Sequence, residues 1–475
     1  MDKVTREQFE QITHFVQHKW HSSIIEELKQ YITIPCKSPA FDSQWQENNY
    51  LEQVIIQFKT WVNAQNIKGL NLDIIRLTNR TPLLYIEITP FQTTNADTIL
   101  MYGHLDKQPE MSGWDEDKGP WKPVIVDNKL YGRGAADDGY SLFAAVTAIG
   151  ALQQQNISHP RIVVIIEACE ESGSYDLPYY IEHLKDRIQE PSLVICLDSG
   201  CGNYEQFWLT TSLRGNIKGV LKVELISEGV HSGMASGIVP SSFRVIRQLL
   251  DRIENALNGE ILIPDFYTLI PEQRIAEAKL TAKILGETIY SSLPFYEHTQ
   301  PVCEDHVELL LNRTWRPQLA VTGAEGLPKL SQAGNVMRPQ TSLALSLRVP
   351  PQVNAVECLN KLKQILEINP PYHARVTFET HEAADGWNSP PIQPWLQQAV
   401  DQASKLAFNK PSASWGEGGT IPFMAMLGEK FPQAQFVITG VLGPHSNAHG
   451  PNEFLHLDMV EKVTAGIAYI IAQVE

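Results

Sequence analysis

Two residues at the end of a predicted strand, His104 and Asp106, pair an imidazole with a carboxylate at a spacing of two. They lie in "LMYGHLDKQPEMSGW", which begins as an apolar strand and continues as a polar loop. Side chains two residues apart in an extended chain point the same way. The carboxylate can then accept the N–H of a histidine whose other nitrogen binds a metal or a proton. The alternative is a polar strand end whose histidine caps a loop. Only the other motifs of the chain can distinguish these two interpretations.

Acidic residues stand at three further places where a strand or a Gly-rich turn ends. "YGRGAADDGY" carries Asp137 and Asp138, "EACEESGS" carries Glu170 and Glu171, and "CLDSG" carries Asp198. In open α/β sheets the ligand crevice forms at the carboxyl ends of the strands. The sequence therefore predicts that these groups share one site with the imidazole described above.

Several carboxylates in one crevice repel each other unless cations neutralise them. Imidazole and carboxylate ligands without thiolate suit Zn²⁺, Mn²⁺ or Co²⁺. One imidazole is too few for two ions, and the loop "GPHSNAHGPNEF" supplies His445 and His449. Each motif alone also fits a solvated turn, a surface helix start or an N-cap, so their joint placement carries the prediction.

Length and composition set the broad class. With 475 residues the chain exceeds the size of one growing core, so we expect two domains. The net charge of −16 argues against nucleic acid or an anionic membrane as partner. The first twenty residues have no apolar signal region, and no run is apolar enough to span a membrane. The six cysteines form no CxxC pair, which fits reduced thiols and predicts a cytoplasmic location.

The elements that must position the acidic residues alternate between strand and helix. This pattern predicts an α/β fold, with a mostly parallel sheet and helices on both faces. The predicted strands cover 83–89, 98–106, 161–171 and 192–200, and the predicted helices cover 5–34, 138–155, 391–409 and 457–473.

The pattern changes near Leu209 and returns after Gly386. Between these points, apart from a long insertion, the predicted order is β-α-β-β-α-β, the ferredoxin-like unit. We therefore predict one domain at 1–208 plus 385–475 and an inserted α+β domain at 209–384.

Taken together, the motifs resemble the two-metal aminoacylase/carnosinase-like metallopeptidase family, which includes dipeptidases, glutamate carboxypeptidases and N-acyl-amino-acid deacylases. The resemblance covers nearly the whole chain and rests on "GHLD", "LYGRGAADD", "EACEESGS", "CLDSG", "GVHSG", "SLRVPP", "GEGGTIPF" and "AHGPNEF". It implies that the outer segments form the catalytic metal-binding domain. The inserted domain would be a lid through which a homodimer forms.

The resemblance also implies two divalent metal ions per subunit, with zinc favoured and manganese or cobalt left open. His104 and Asp198 would bind one ion, Glu171 and His449 the other, and Asp137 would bridge both. The catalytic residues would be Glu170 as general base and Asp106 as the carboxylate that orients His104. The Asp137–Asp138 peptide is typically cis in this family.

Five further residues resemble substrate-binding positions of the family. His231 lies in "GVHSG" and Arg348 in "SLRVPP", while Gly418, Gly419 and Thr420 resemble a turn that binds a carboxylate. A cationic Arg348 can dock a carboxylate through a bidentate pair.

Two positions depart from the family pattern. Gly139 stands where the family often has lysine, and His445 stands where a non-ligand such as asparagine is expected. His445 could compete with His449 only if the loop were helical. "HGP" argues against a helix, so His449 is the predicted ligand.

The predicted reaction is hydrolysis of an amide bond in a dipeptide or small peptide. The first alternative is deacylation of an N-acyl amino acid. The second is a metal-free relative that binds ligands without catalysis. Every expected ligand position holds a residue that can bind a metal ion, which weighs against this last hypothesis.

Overall fold

The structure is a computed structural model that describes residues 3–474. The chain divides into two units, of which the first comprises Met1–Thr211, Ser389–Trp415 and Met426–Glu475. The second comprises Ser212–Asn388 and Gly416–Ala425. The segment 416–425, which the sequence analysis placed with the outer segments, thus groups with the inserted unit.

The helices are α1 (Arg6–Lys19), α2 (Ile25–Thr33), α3 (Trp45–Asn48), α4 (Tyr50–Asn63), α5 (Ser141–Gln154), α6 (Leu177–His183), α7 (Lys185–Ile188), α8 (Ser232–Ala235), α9 (Ser242–Leu250), α10 (Glu272–Leu285), α11 (Thr288–Ser291), α12 (His306–Thr314), α13 (Ala355–Glu367), α14 (Pro394–Phe408), α15 (Pro422–Lys430) and α16 (Leu457–Gln473). The strands are β1 (Leu70–Ile75), β2 (Leu83–Ile88), β3 (Thr98–His104), β4 (Val124–Val126), β5 (Lys129–Tyr131), β6 (Arg161–Glu167), β7 (Leu193–Cys196), β8 (Trp208–Leu213), β9 (Gly215–Glu224), β10 (Val230–His231), β11 (Gln318–Glu325), β12 (Val336–Met337), β13 (Gln340–Val349), β14 (Arg375–Ala384), β15 (Trp387–Asn388), β16 (Ala413–Glu417), β17 (Gln435–Ile438) and β18 (Phe454–His456).

The first unit is built on a six-stranded sheet in the order β1-β2-β6-β3-β7-β17. The pairs β6–β3, β3–β7 and β7–β17 are parallel, whereas β1–β2 and β2–β6 are antiparallel. Every residue of β3 is buried, which requires cover on both faces of the sheet. The helix α5 packs on β3 and against α16. The predicted α/β fold with a mostly parallel sheet is confirmed.

The second unit is built on a four-stranded antiparallel sheet in the order β11-β13-β9-β14. Helix α9 follows β9 and α13 follows β13, so the order is β-α-β-β-α-β, as the sequence predicts. Both helices pack on the sheet over a core that includes Leu221, Ile246 and Phe378. Helices α10 to α12 form the long insertion before β11.

The structure differs from the predicted elements mainly at their ends. The strand predicted at 98–106 ends at His104, and the strand predicted at 161–171 ends at Glu167. Beyond these strand ends the carboxylate of Asp106 accepts the backbone N–H groups of Glu170 and Glu171. The predicted helix 5–34 is interrupted by a π-helical turn, Trp20–Ile24. Within residues 3–474, no helix is long and apolar enough to cross a membrane.

Packing explains why position 139 holds glycine, where the family often has lysine. A Cβ atom at this position would lie 2.2 Å from Cε1 of Tyr31 and 2.7 Å from the carbonyl oxygen of Gly134. The ring of Tyr31 is buried, and its hydroxyl donates to the Leu105 carbonyl at 3.1 Å. The tyrosine therefore fills the space that a side chain at 139 would need.

We predict that Gly139→Ala destabilises the metal-free protein by about 1–3 kcal/mol, the usual cost of overpacking. Gly150→Ala is the matched control. Its Cβ would have no neighbour nearer than 3.8 Å, and it lies within α5, so alanine should stabilise the helix by up to about 1 kcal/mol. Urea unfolding in the presence of a chelator measures both changes. Equal stability of the two variants would contradict this packing argument.

Candidate metal centre and active site

Three neighbouring parallel strands bring the first site residues together. His104 is the last residue of β3, and Asp198 follows β7. Glu170 and Glu171 open a short 3₁₀ turn, Glu170–Ser172, just after β6. Because β3 lies between β6 and β7, the carboxyl ends of these strands meet at one edge of the sheet.

A first cluster consists of His104, Asp137 and Asp198, all buried. The Nε2 atom of His104 lies 3.2 Å from Oδ1 of Asp137 and 3.7 Å from Oδ2 of Asp198. Asp137 comes from the loop between β5 and α5. One imidazole and two carboxylates at these distances could hold a divalent cation.

A second cluster consists of Asp137, Glu171 and His449. The Nε2 atom of His449 lies 2.9 Å from Oδ2 of Asp137 and 3.4 Å from Oε2 of Glu171. Asp137 therefore belongs to both clusters and presents one carboxylate oxygen to each histidine. The Asp137–Asp138 peptide bond is cis, as the family resemblance implies.

Asp106 contacts both His104 and the turn that carries Glu170 and Glu171. Its backbone carbonyl lies 3.1 Å from Nδ1 of His104, and its carboxylate Oδ1 lies 3.5 Å from the same nitrogen. The two carboxylate oxygens accept the backbone N–H groups of Glu170 and Glu171, each at 3.1 Å. The nearest contact to the ring is thus the carbonyl of Asp106, while its carboxylate holds the turn that carries the two glutamates.

The charges of the site perturb the pKa of each group. Burial, followed by the charge of Asp198, raises the pKa of Glu170 well above its usual value. Burial and then Asp137 raise the pKa of Glu171 in the same way. Burial opposes ionisation of Asp137, but the adjacent His104 and His449 lower its pKa overall. The raised pKa values of Glu170 and Glu171 mean that the carboxylates of the site repel one another when no cation lies between them.

The donor atoms of the site fit a divalent metal ion. Oε1 of Glu171 and Oδ1 of Asp138 are buried and have no hydrogen-bond partner among the described residues. Buried polar atoms are normally paired, so orphaned oxygens here need an explanation. Two imidazoles and several carboxylates are the ligands that Zn²⁺, Mn²⁺ and Co²⁺ accept.

Glu170 differs from the residues of the two clusters. Its backbone N–H is fixed by Asp106, yet within residues 3–474 its carboxylate makes no hydrogen bond or ion pair. The carboxylate is therefore held near the clusters without being engaged by protein groups. Such a group can exchange a proton with a reacting molecule.

His445 and His449 occupy different environments in the loop after β17. Both have positive φ, and the loop is not helical, as the sequence argument expected. His449 joins a cluster, whereas His445 is exposed and belongs to neither.

In the second unit, the structure brings Arg348 and Thr420 together. Nη1 of Arg348 donates to Oγ1 of Thr420 at 2.7 Å, and Thr420 donates to the carbonyl of Arg214 at 2.6 Å. Arg214 in turn donates from Nε to the carbonyl of Gly418 at 3.2 Å. Burial and the nearby Arg348 charge lower the pKa of Arg214 to about 9. A buried arginine beside Arg348 makes this group electropositive.

His231 and Gly419 lie outside this hydrogen-bonded group. His231 ends β10, is exposed, and accepts the N–H of Gly233 at its Nδ1 atom. A Cβ atom at Gly419 would meet no atom within 4 Å, so open space adjoins its backbone.

Sequence analysis missed Arg133 and Glu453, although both stand inside the quoted motifs. They form a buried ion pair, with Nη1 of Arg133 2.6 Å from Oε2 of Glu453. Burial raises the pKa of Glu453 to about 7 despite the opposing charge of Arg133. A charged residue in a Gly-rich or Pro-rich loop normally predicts solvent exposure. The only signal for the pair was that Arg133 in "LYGRGAADD" and Glu453 in "AHGPNEF" carry opposite charges.

Comparisons with known proteins show which proteins this chain is similar to. The cysteinylglycine-S-conjugate dipeptidase of Corynebacterium striatum is 25% identical over 413 residues, 85% of this chain and 86% of that protein. The human β-Ala-His dipeptidase is 27% identical over 353 residues, 70% of this chain and 66% of that protein. The solved structure of the dipeptidase Dug1p from Saccharomyces cerevisiae superimposes with a TM-score of 0.78 at 20% identity, and covers 100% of this chain and 99% of that one.

The sequence also matches the profile of a known family over residues 100–473, the part that contains both clusters and the whole inserted unit. The chain therefore belongs to peptidase family M20/M25/M40.

Proposed function

We propose that this protein hydrolyses the amide bond of dipeptides or other small peptides, using two divalent metal ions per subunit. The observation that carries the proposal is the placement of Asp137, whose two oxygens lie 3.2 Å and 2.9 Å from nitrogens of two different histidines. A carboxylate shared in this way is suited to bridge two ions. The dipeptidases named above support the substrate class.

The proposed ligands follow the two clusters: His104, Asp137 and Asp198 for one ion, and Asp137, Glu171 and His449 for the other. When bound, two such ions lower the pKa of a water molecule and polarise the substrate carbonyl. Zinc is the proposed metal, with manganese and cobalt as alternatives, since all three accept this donor set.

The side chains supply the proton transfers. Glu170 is the proposed general base, because its carboxylate is held at the site and is not engaged by protein groups. It accepts the proton of the attacking water and delivers it to the leaving amine. Asp106 positions this base by accepting its backbone N–H, and contacts His104 at the same time.

The second unit is proposed to act as a lid that binds substrate and carries the dimer interface. The electropositive group around Arg348 supports a site for the substrate carboxylate. His231, Gly418, Gly419 and Thr420 are the other proposed substrate-binding residues. The exposed edge strand β11 supports a homodimer, because its unpaired backbone groups can pair with a second copy.

A cytoplasmic location stays a prediction. It is supported by the six cysteines, which are all free thiols and of which five are buried.

We predict that chelation removes activity and lowers the melting temperature, because ions that bind only the folded state stabilise it. Asp137→Ala should lose both ions, whereas Asp198→Ala should keep the ion at Glu171 and His449. Metal analysis of the purified variants, in equivalents per chain, checks this. Two equivalents retained by Asp137→Ala would show that this residue is not the bridge.

Glu170→Gln keeps the shape of the side chain but cannot accept the proton. We expect kcat to fall by about 10²–10⁴-fold with little change in KM and with both metals retained. Assays with the dipeptides Cys-Gly and β-Ala-His, and with N-acetyl amino acids, also separate peptidase from deacylase activity. Glu182→Gln, an exposed residue on α6, is the control. If the Glu170→Gln variant kept the kcat of wild type, Glu170 would not be the general base.

The homodimer can be tested with two exposed valines of the second unit. Val321 lies on the edge strand β11 and is 50% exposed, while Val356 lies on α13 and is 54% exposed. Val321→Lys should shift a micromolar sample toward monomer in sedimentation velocity, because lysine on an edge strand opposes pairing. Val356→Lys should remain dimeric. A wild-type protein that sediments only as monomer would refute the proposed assembly.

A further inference from the structure

The ion pair between Arg133 and Glu453 is among the most deeply buried in the first unit. The two side chains are 1% and 0% exposed, and Nη1 and Oε2 lie 2.6 Å apart. A buried pair compensates its desolvation only with good geometry and further hydrogen bonds. Neither residue is a proposed ligand or base, so the pair needs another explanation.

Glu453 uses its second oxygen to hold the loop that carries Asp137. Oε1 accepts the backbone N–H of Gly134 at 3.0 Å, of Ala136 at 3.3 Å and of Asp137 itself at 3.3 Å. The backbone carbonyl of Glu453 also accepts the N–H of Gly132 at 3.0 Å. One residue thus fixes the whole approach of the chain to the shared carboxylate.

Arg133 connects the same loop to the segment that carries His449. Its Nη2 atom donates to the carbonyl of Gly450 at 2.7 Å, directly beside His449. Its Nε atom donates to the carbonyl of Pro109 at 3.1 Å. The guanidinium therefore ties three segments together, and two of them carry residues of the second cluster.

The two clusters are supported in different ways. In the first, His104 is the last residue of the buried strand β3 and Asp198 closely follows the buried strand β7, so the sheet holds them. In the second, His449 is exposed and lies in an irregular loop with a φ of +64°. Its position relative to Asp137 depends on contacts between loops, and the Arg133–Glu453 pair supplies them.

We infer that Arg133 and Glu453 are positioning residues that set the distance between Asp137 and His449, and thereby control the affinity of the second metal site more than that of the first. The inference rests on the proposed two-metal function. Loss of either contact leaves the first ion bound and weakens the second. Neighbours that orient metal ligands typically change metal affinity by about 10–100-fold when they are replaced, and we expect a change of this size.

The experiment titrates the metal-free full-length enzyme with Co²⁺, followed by calorimetry and by the visible absorption of the bound ion. Wild type should bind two equivalents. In Glu453→Gln the amide oxygen can still accept the N–H groups of the Asp137 loop, but the charge opposite Arg133 is lost. This variant should bind the first equivalent nearly as wild type does and the second about 10–100-fold more weakly.

Arg133→Lys is the second variant in case Glu453→Gln does not fold. Lysine keeps a positive charge opposite Glu453, but a single ammonium cannot replace the fork that reaches Gly450 and Pro109. It should show the same selective loss of the second equivalent.

Asp176→Asn is the matched control. Asp176 is also a buried carboxylate, paired with Arg80 at 2.6 Å and bonded to the N–H of Thr81 at 2.9 Å, and it belongs to neither cluster. It should lose stability but bind both equivalents as wild type does.

Unchanged binding of both equivalents in folded Glu453→Gln or Arg133→Lys would overturn the inference, as would equal weakening of both. A wild-type enzyme that binds fewer than two equivalents would instead overturn the proposed function on which the inference rests.

Discussion

Asp137 presents one carboxylate oxygen to each of two histidines, and the organisation of the site depends on this contact. For the contact to form, a strand end, a Gly-rich loop and a loop near the C-terminus must converge on one carboxylate. The parallel arrangement of β3, β6 and β7 provides the strand end and its acidic neighbours. The buried Arg133–Glu453 pair joins the two loops. The fold of the first unit can be understood as the scaffold for this convergence.

The convergence has an electrostatic cost. Asp138, Glu170 and Glu171 all have pKa values raised above their usual range by burial and by neighbouring acids. A protein that concentrates acids in this way is stabilised when a cation binds among them. In the proposed function, metal binding therefore contributes both to catalysis and to the stability of the first unit.

The features that could be predicted from sequence are those that follow from periodicity or from strand ends. A helix was predicted near 457–473 and α16 spans Leu457–Gln473, because an apolar segment of this length exceeds an ordinary strand. The prediction that His104 and Asp198 stand at neighbouring strand ends needed only the α/β pattern. By contrast, β1 (Leu70–Ile75) was missed although its apolar and polar residues alternate, because a half-buried edge strand lacks the continuous apolar run of β2 and β3. The π-helical turn at Trp20–Ile24 and the grouping of 416–425 with the second unit depend on tertiary packing that no local pattern encodes. The role of Tyr31 opposite Gly139 was hidden for the same reason, since 108 residues of sequence separate them.

The most direct test of the two-metal account is an anomalous difference map from crystals of the enzyme grown with zinc and recorded at the zinc absorption edge. The account predicts two peaks about 3.5–4 Å apart, the usual spacing of a two-metal site. One peak should lie between His104 and Asp198, the other between Glu171 and His449, with Asp137 between the two. A single peak, or a peak at His445 in place of His449, would contradict it.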